Sequence, residues 1–131
     1  MPRDARVLVV DDDDDSRYLL ADVLRRAGYA VTEAADGRDA VTMCRREPPW
    51  LVITDCAMPR LTGPELVRRL ALGRRLRRIP IIVVSSAPPP HLPDANVISV
   101  VTKPVDPRRL LAVVRICAVS AHPARSSRRA G

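Results

Sequence analysis

Residues 6–15 read RVLVVDDDDD, an almost wholly apolar run through Val7, Leu8, Val9 and Val10 that stops abruptly in five aspartates, Asp11 to Asp15. A strand that is apolar at nearly every position is buried on both faces, as in a parallel sheet covered by helices on each side. The acids then stand at the strand's carboxyl end. From about Asp14 the period changes: Leu19, Leu20, Val23 and Leu24 recur every three to four residues, and Gly28 follows as a stop signal. This is a strand-loop-helix unit.

Working outward, the unit repeats. Tyr29 to Ala34 predicts a second strand, and Gly37 to Arg46 a second helix with Ala40, Val41 and Cys44 on one side, ended by Pro48 and Pro49. LVIT at 51–54 is a third apolar strand running into Asp55. Pro64 to about Leu72 forms a third helix, with Pro64 suited to its first turn. Ile81 to Val84 is a fourth strand, ended by Ser85 and Ser86, and Val97 to Thr102 a fifth, ended by Lys103 and Pro104. Asp106 caps a last helix from Pro107 to about Val119. Strands alternating with helices predict an α/β domain with a parallel sheet and helices on both faces. One crossover departs from the pattern. In APPPHLPDAN at 87–96, Pro88, Pro89, Pro90 and Pro93 remove backbone donors and fix φ, so the helix expected between the fourth and fifth strands is shortened or replaced by a Pro-rich segment. Residues 1–120 are expected to form the one domain, and 121–131 an Arg-rich, disordered tail.

The composition agrees with a single core: 131 residues, 47% hydrophobic and 28% charged. Aromatics are 2% with no Phe, so the core is built from Val, Leu, Ile and Ala, and no aromatic platform exists for stacking bases. A net charge of +7 raises the question of nucleic acid. However, the basic charge is scattered Arg, from Arg3 to Arg129, which reads as a coding preference for Arg over Lys. The cluster Arg68, Arg69, Arg74, Arg75, Arg77 and Arg78 offers only salt-sensitive, nonspecific affinity, and nucleic acid is not expected as a partner. Cys44, Cys56 and Cys117 lack zinc or disulfide spacing and are read as reduced thiols. No apolar run approaches the roughly 20 residues of a bilayer span, and strand pattern begins by Val7, so a cytoplasmic location is expected.

The chemistry lies at the strand ends. In an open parallel sheet, ligands bind outside the carboxyl ends of the strands, where strand order reverses. Folding brings Asp11, Asp12 and Asp13, then Asp55, Ser85 and Lys103 to that rim. Crowded carboxylates raise one another's pKa values unless a cation holds them, and Mg2+ prefers oxygen ligands together with phosphate oxygens. A carboxylate nucleophile, a metal, an ammonium and a hydroxyl together describe a site for phosphoryl transfer.

VLVVDDD at 7–13, ITDCAMPRLTG at 53–63, PIIVVSS at 80–86 and TKP at 102–104 resemble, in content, order and spacing, the receiver domains of two-component response regulators, across residues 6–119. The resemblance implies a flavodoxin-like, doubly wound five-stranded sheet in the order 2-1-3-4-5. It also implies that Asp55 accepts the phosphoryl group, that Asp12 ligates Mg2+ directly and Asp11 mainly through water, and that the Ala57 carbonyl completes the metal shell. Ser85 matches the switch hydroxyl and Lys103 the lysine that pairs with the phosphoryl group, while Met58, Pro59 and Gly63 match the loop after the acceptor. The chain would catalyse only its own phosphorylation and dephosphorylation rather than act as an enzyme. A histidine kinase or phosphotransfer protein would supply the phosphate, and output would pass through an unknown downstream protein, a phosphorylation-dependent homodimer being admissible. More prosaically, Asp13, Asp14 and Asp15 suit the solvated first turn of a helix, and His91 and His122 are incidental.

Two departures bear on output. Val100 stands where receivers usually carry an aromatic residue, three before the lysine, and the Pro-rich crossover alters the usual output face. Ala57 and Ala87, two residues beyond Asp55 and Ser85, neither assist nor block an attacking water. The leading expectation is a phosphorylation-gated interaction module. Its rival is a pseudo-receiver acting as a constitutive, phosphorylation-independent binding module. A metal-dependent phosphatase fits less well, because the acceptor carboxylate follows the third strand rather than the first.

Overall fold

A computed structural model describes residues 6–87, 91–92 and 96–121. Its elements follow in the order β1 (Val7–Val10), α1 (Asp14–Arg26), β2 (Val31–Ala34), α2 (Gly37–Arg46), β3 (Leu51–Asp55), α3 (Gly63–Ala71), a 3-10 turn (Leu76–Arg78), β4 (Ile81–Ser85), β5 (Val97–Thr102) and α4 (Pro107–Ala121). All five strands are parallel and lie in the order β2-β1-β3-β4-β5, the doubly wound, flavodoxin-like arrangement.

The apolar strands divide their side chains between two cores, because successive residues point to opposite faces. Leu8 and Val10 of β1, with Val52, Ile81 and Val83, pack beneath α2 and α3 on Ala40, Cys44, Leu66 and Leu70. Val7 and Val9, with Leu51, Ile53, Ile82 and Val84, pack beneath α1 and α4 on Leu20, Leu24, Leu110 and Val114. A run without alternation is therefore what the central strands require, and β1, β3 and β4 are buried at every residue.

Local chemistry sets where the helices begin. Asp13 caps α1 by accepting from Ser16 N at 2.8 Å, and Asp36 caps α2 by accepting from Asp39 N at 2.8 Å. Thr62 and Glu65 form a reciprocal capping box at α3, with Pro64 in its first turn. Asp106 accepts from Arg108 N at 3.0 Å at the start of α4.

Several boundaries differ from the sequence expectation. β2 starts at Val31 rather than Tyr29, because the end of α1 uses the intervening residues: Gly28 takes φ +98° and Tyr29 N donates back to Leu24 O at 3.1 Å. Ser85 is the last residue of β4 rather than its stop, and α4 reaches Ala121. Between β4 and β5, the described residues 86–87, 91–92 and 96 belong to no helix, and Leu92 packs on the α2/α3 core. Pro88, Pro89, Pro90 and Pro93 lie outside the described residues, as do most of the expected tail and His122. Among the described residues, no helix is long and apolar enough to cross a membrane. All three cysteines are free, and burial pushes the Cys44 thiol up to about 11.

The turn from β3 into α3 is fitted closely around one glycine. Gly63 N donates to Cys56 O at 2.9 Å, and a Cβ at Gly63 would lie 2.5 Å from Asp55 O and 2.9 Å from Cys56 Cα, both backbone atoms. Gly63→Ala is expected to lower unfolding free energy by about 1–3 kcal/mol. Urea denaturation of the two chains side by side measures it, and an unchanged midpoint would mean that the turn yields freely.

Candidate functional site

β1 and β3 are neighbours in the sheet, and the chain turns to opposite sides of the sheet after them, so their carboxyl ends border the crevice where such folds bind ligands. Asp11 follows β1 and Asp55 ends β3. Each is tied down through its backbone: Asp11 N donates to Ala34 O at 3.2 Å, while Asp55 pairs with Val84 and Cys56 N donates to Val84 O at 2.9 Å.

The run of five aspartates is divided among different tasks. Asp11 is 1% exposed and Asp12 is exposed, and both offer carboxylate oxygens to the same place as Asp55, all within 4.8 Å of one another. Asp13 turns away to cap α1, and Asp14 and Asp15 occupy the first helical turn, where the dipole favours negative charge. The bonds from Ser16 hold the Asp13 carboxyl below its ordinary value.

Lys103, at the end of β5, closes the cluster. Its Nζ lies 2.9 Å from Asp55 Oδ1 and 3.9 Å from Asp11 Oδ2. Partial burial pulls the ammonium pKa down, but the bond to Asp55 and the charges of Asp55, Asp11 and Asp12 outweigh it and hold Lys103 above its ordinary value. Its backbone N donates to Ser85 O at 2.9 Å, which fixes β5 against β4, and its peptide bond to Pro104 is cis.

Asp11 Oδ1 accepts from Asp13 N at 3.0 Å, but Oδ2 is buried without a hydrogen-bond partner. Burial raises the Asp11 pKa, the Asp13 bond opposes this, and the neighbouring Asp55 charge adds to the rise. A carboxylate with one orphaned oxygen, clustered with two further carboxylates in a set made only of oxygen donors, fits a hard divalent cation such as Mg2+. Ala57 lies exposed in the turn after β3, and Met58 is buried beneath that turn.

Ser85 is buried near the cluster but faces its own loop. Its Oγ donates to Ala87 O at 2.9 Å and accepts from Ala87 N at 3.4 Å. Thr54 Oγ1 donates to Asp55 O at 3.0 Å. Val100 is half-buried against the α2/α3 core, and His91 is exposed in the crossover.

Arg17 is a participant that sequence reasoning overlooked. Its side chain is buried, with Nη1 donating to Asp11 O at 2.9 Å, Nη2 to Asp14 at 2.7 Å and Nε to Glu33 at 3.3 Å. Arg25 adds a 3.1 Å bond to the other oxygen of Glu33. A guanidinium thus ties the end of β1 to α1 and β2. The signal was present, because position 17 falls on the same helical face as Leu20, Ala21 and Leu24, the buried stripe of α1.

Comparisons with known proteins agree with this architecture. The family model described as response regulator receiver domain matches residues 7–115. Protein Rrf1 of Nitratidesulfovibrio vulgaris is 34% identical over 110 residues, 84% of this chain and 80% of that protein. Protein PilH of Pseudomonas aeruginosa is 37% identical over 82 residues, 63% of this chain and 68% of that protein. Among solved structures, the chemotaxis protein CheY4 of Vibrio cholerae superposes with a TM-score of 0.76 at 28% identity, covering 86% of this chain and 98% of that one.

The charge arrangement carries a cost that a substitution relieves. With its folded pKa raised, Asp11 adds no penalty below the ordinary value of 3.8, where it is protonated in both states; the penalty grows as pH rises through the folded value and then stays. Asp11→Asn is therefore expected to stabilise the metal-free protein at pH 7 by about 1 kcal/mol, on the scale of one unsatisfied buried group. The gain should vanish below pH 3.8. Thermal melts of both chains in EDTA across pH decide it, and a destabilised mutant at pH 7 would refute the assignment of strain to Asp11. Arg17→Met, in contrast, is expected to cost about 1–3 kcal/mol through the bonds it removes.

Proposed function

This chain belongs to the response regulator receiver domain family, and from that premise we propose that it accepts a phosphoryl group on Asp55, with Mg2+, from the phosphohistidine of a histidine kinase or phosphotransfer protein. The observation that best supports the reading is the convergence of Asp11 and Asp12 on Asp55 with the Lys103 ammonium 2.9 Å from its Oδ1.

In this reading an Asp55 oxygen forms a bond to phosphorus while the donor's N–P bond breaks, and the leaving imidazole keeps the electron pair. The carboxylates of Asp11, Asp12 and Asp55 and the carbonyl of Ala57 would hold the cation, which supplies positive charge for the phosphoryl oxygens when bound. Lys103 offers the chain's own positive charge, exchanging its bond to Asp55 for one to a phosphoryl oxygen. Ser85 provides a donor once its hydroxyl leaves Ala87 O, and that exchange moves the start of the crossover toward the site. Chemistry is confined to the chain's own acyl phosphate, and the product is a changed surface rather than a released compound. Arg17 acts as a support, holding the Asp11 backbone in place through its bond to the Asp11 carbonyl.

Val100 and the non-helical crossover residues favour one other reading, a receiver-like module that binds its partner constitutively. Intact mass after incubation with acetyl phosphate separates the two. A single phosphoryl adduct that requires Mg2+, is lost in EDTA and is absent from Asp55→Asn is expected. A folded chain that takes up no phosphate under these conditions would leave the constitutive module as the better account. Lys103→Met should accept phosphate more slowly, by roughly a hundredfold, on the scale of losing one preorganised charge at a transferring group.

A further inference from the structure

At the end of the sheet opposite Asp55, the segments entering the strands are knitted together. Trp50 N donates to Arg6 O at 3.1 Å, Val52 N to Pro80 O at 3.0 Å and Ile81 N to Asn96 O at 2.9 Å, and Asn96 Nδ2 donates to Arg78 O at 2.8 Å. Between this wall and α4 lies a groove of about 450 Å3. Trp50, Ile98 and Ile116 give it apolar sides, and Arg75 and Arg78 line it as well. We propose that this groove docks an acidic peptide segment of a partner protein, apolar side chains entering between Ile98 and Ile116 and carboxylates meeting Arg75 and Arg78.

Ile98 is 46% exposed and Ile116 62% exposed, so two large apolar side chains on separate elements face water at the same concavity. The volume lies within the range of roughly 300–1,000 Å3 in which proteins seat ligand groups. Charge then selects the occupant. Arg68, Arg69, Arg74, Arg75, Arg77 and Arg78 are all exposed, and no Asp or Glu occurs between Leu66 and Pro93. Arg68 and Arg69 lie within the field of Glu65, but among the described residues Arg74, Arg75, Arg77 and Arg78 form no ion pair. Unpaired guanidiniums beside an apolar concavity suit carboxylates presented with apolar neighbours.

The same signs disfavour other occupants. The C-terminal residues Arg125, Arg128 and Arg129 repeat the groove's charge. A second copy meeting groove to groove brings arginine against arginine. Nucleic acid would use the arginines but not the isoleucines. The groove stands roughly 15 Å from the phosphoacceptor rim, the length of a five-residue strand, so an occupant there leaves Asp55 open to a donor.

The test uses the full chain and a fluorescein-labelled peptide of Glu, Asp and Leu, followed by anisotropy, beside a peptide with Lys in place of the acids and a single-stranded oligothymidylate. The acidic peptide should bind and the basic one should not. Arg75→Glu with Arg78→Glu, and separately Ile116→Ser, should each weaken binding by about tenfold, as loss of an interface anchor does, while uptake of phosphate from acetyl phosphate stays at the native level. The proposal is overturned if the acidic peptide fails to bind, or if it binds equally well to both variants. It is also overturned if the oligothymidylate binds more tightly and is insensitive to Ile116→Ser, which would assign the face to nucleic acid, or if binding merely competes with self-association of the chain.

Discussion

Three carboxylates brought within 4.8 Å of one another repel, and the molecule is organised around keeping them there. Asp11, Asp12 and Asp55 could relax apart if β1 and β3 were free to slide. They are not, because every residue of both strands is buried, with the two cores gripping alternate side chains. Lys103 offsets part of the repulsion but reaches Asp11 only at 3.9 Å, leaving one oxygen without a bond. Stability built in the cores is thus spent on a rim of charge that would not assemble by itself.

The frame holding the rim is made of backbone attachments more than side-chain ones. Lys103 is located by its peptide N on Ser85 O, Asp55 by its place in β3 beside Val84, and Asp11 by its N on Ala34 O and by Arg17 on its carbonyl. Side chains are consequently free to change partners while the main chain keeps its place. That division suits the exchange of partners proposed for Asp55, which would occur without unfolding its surroundings.

Much of this could be read from residue order. The non-alternating runs VLVV, LVIT and IIVV mark central strands because only burial on both faces tolerates them, and the acids, hydroxyl and lysine at their ends follow from the direction of parallel strands. What remained hidden depends on tertiary contact. Asp13 looked like one more solvated acid, yet its geometry makes it the α1 cap. Arg17 was passed over among the scattered arginines, although its helical position already placed it on the buried stripe. β2 was overextended because Tyr29 and Ala30 have strand-like neighbours, while the Gly28 turn and the bond to Leu24 O decide otherwise. The groove beside α4 is assembled from segments far apart in sequence, and no local pattern announces it.

The Ser85 hydroxyl, held between the carbonyl and the amide of Ala87, makes the resting state a matter of degree. A neutral hydrogen bond of this kind contributes about 1 kcal/mol net. A latch of that order is weak enough to be exchanged for another partner without disturbing the fold. Under the proposed reading, the hydroxyl can leave Ala87 for a phosphoryl oxygen at small cost, so the contrast between the unmodified and modified surfaces would rest on a weak latch rather than on a large barrier.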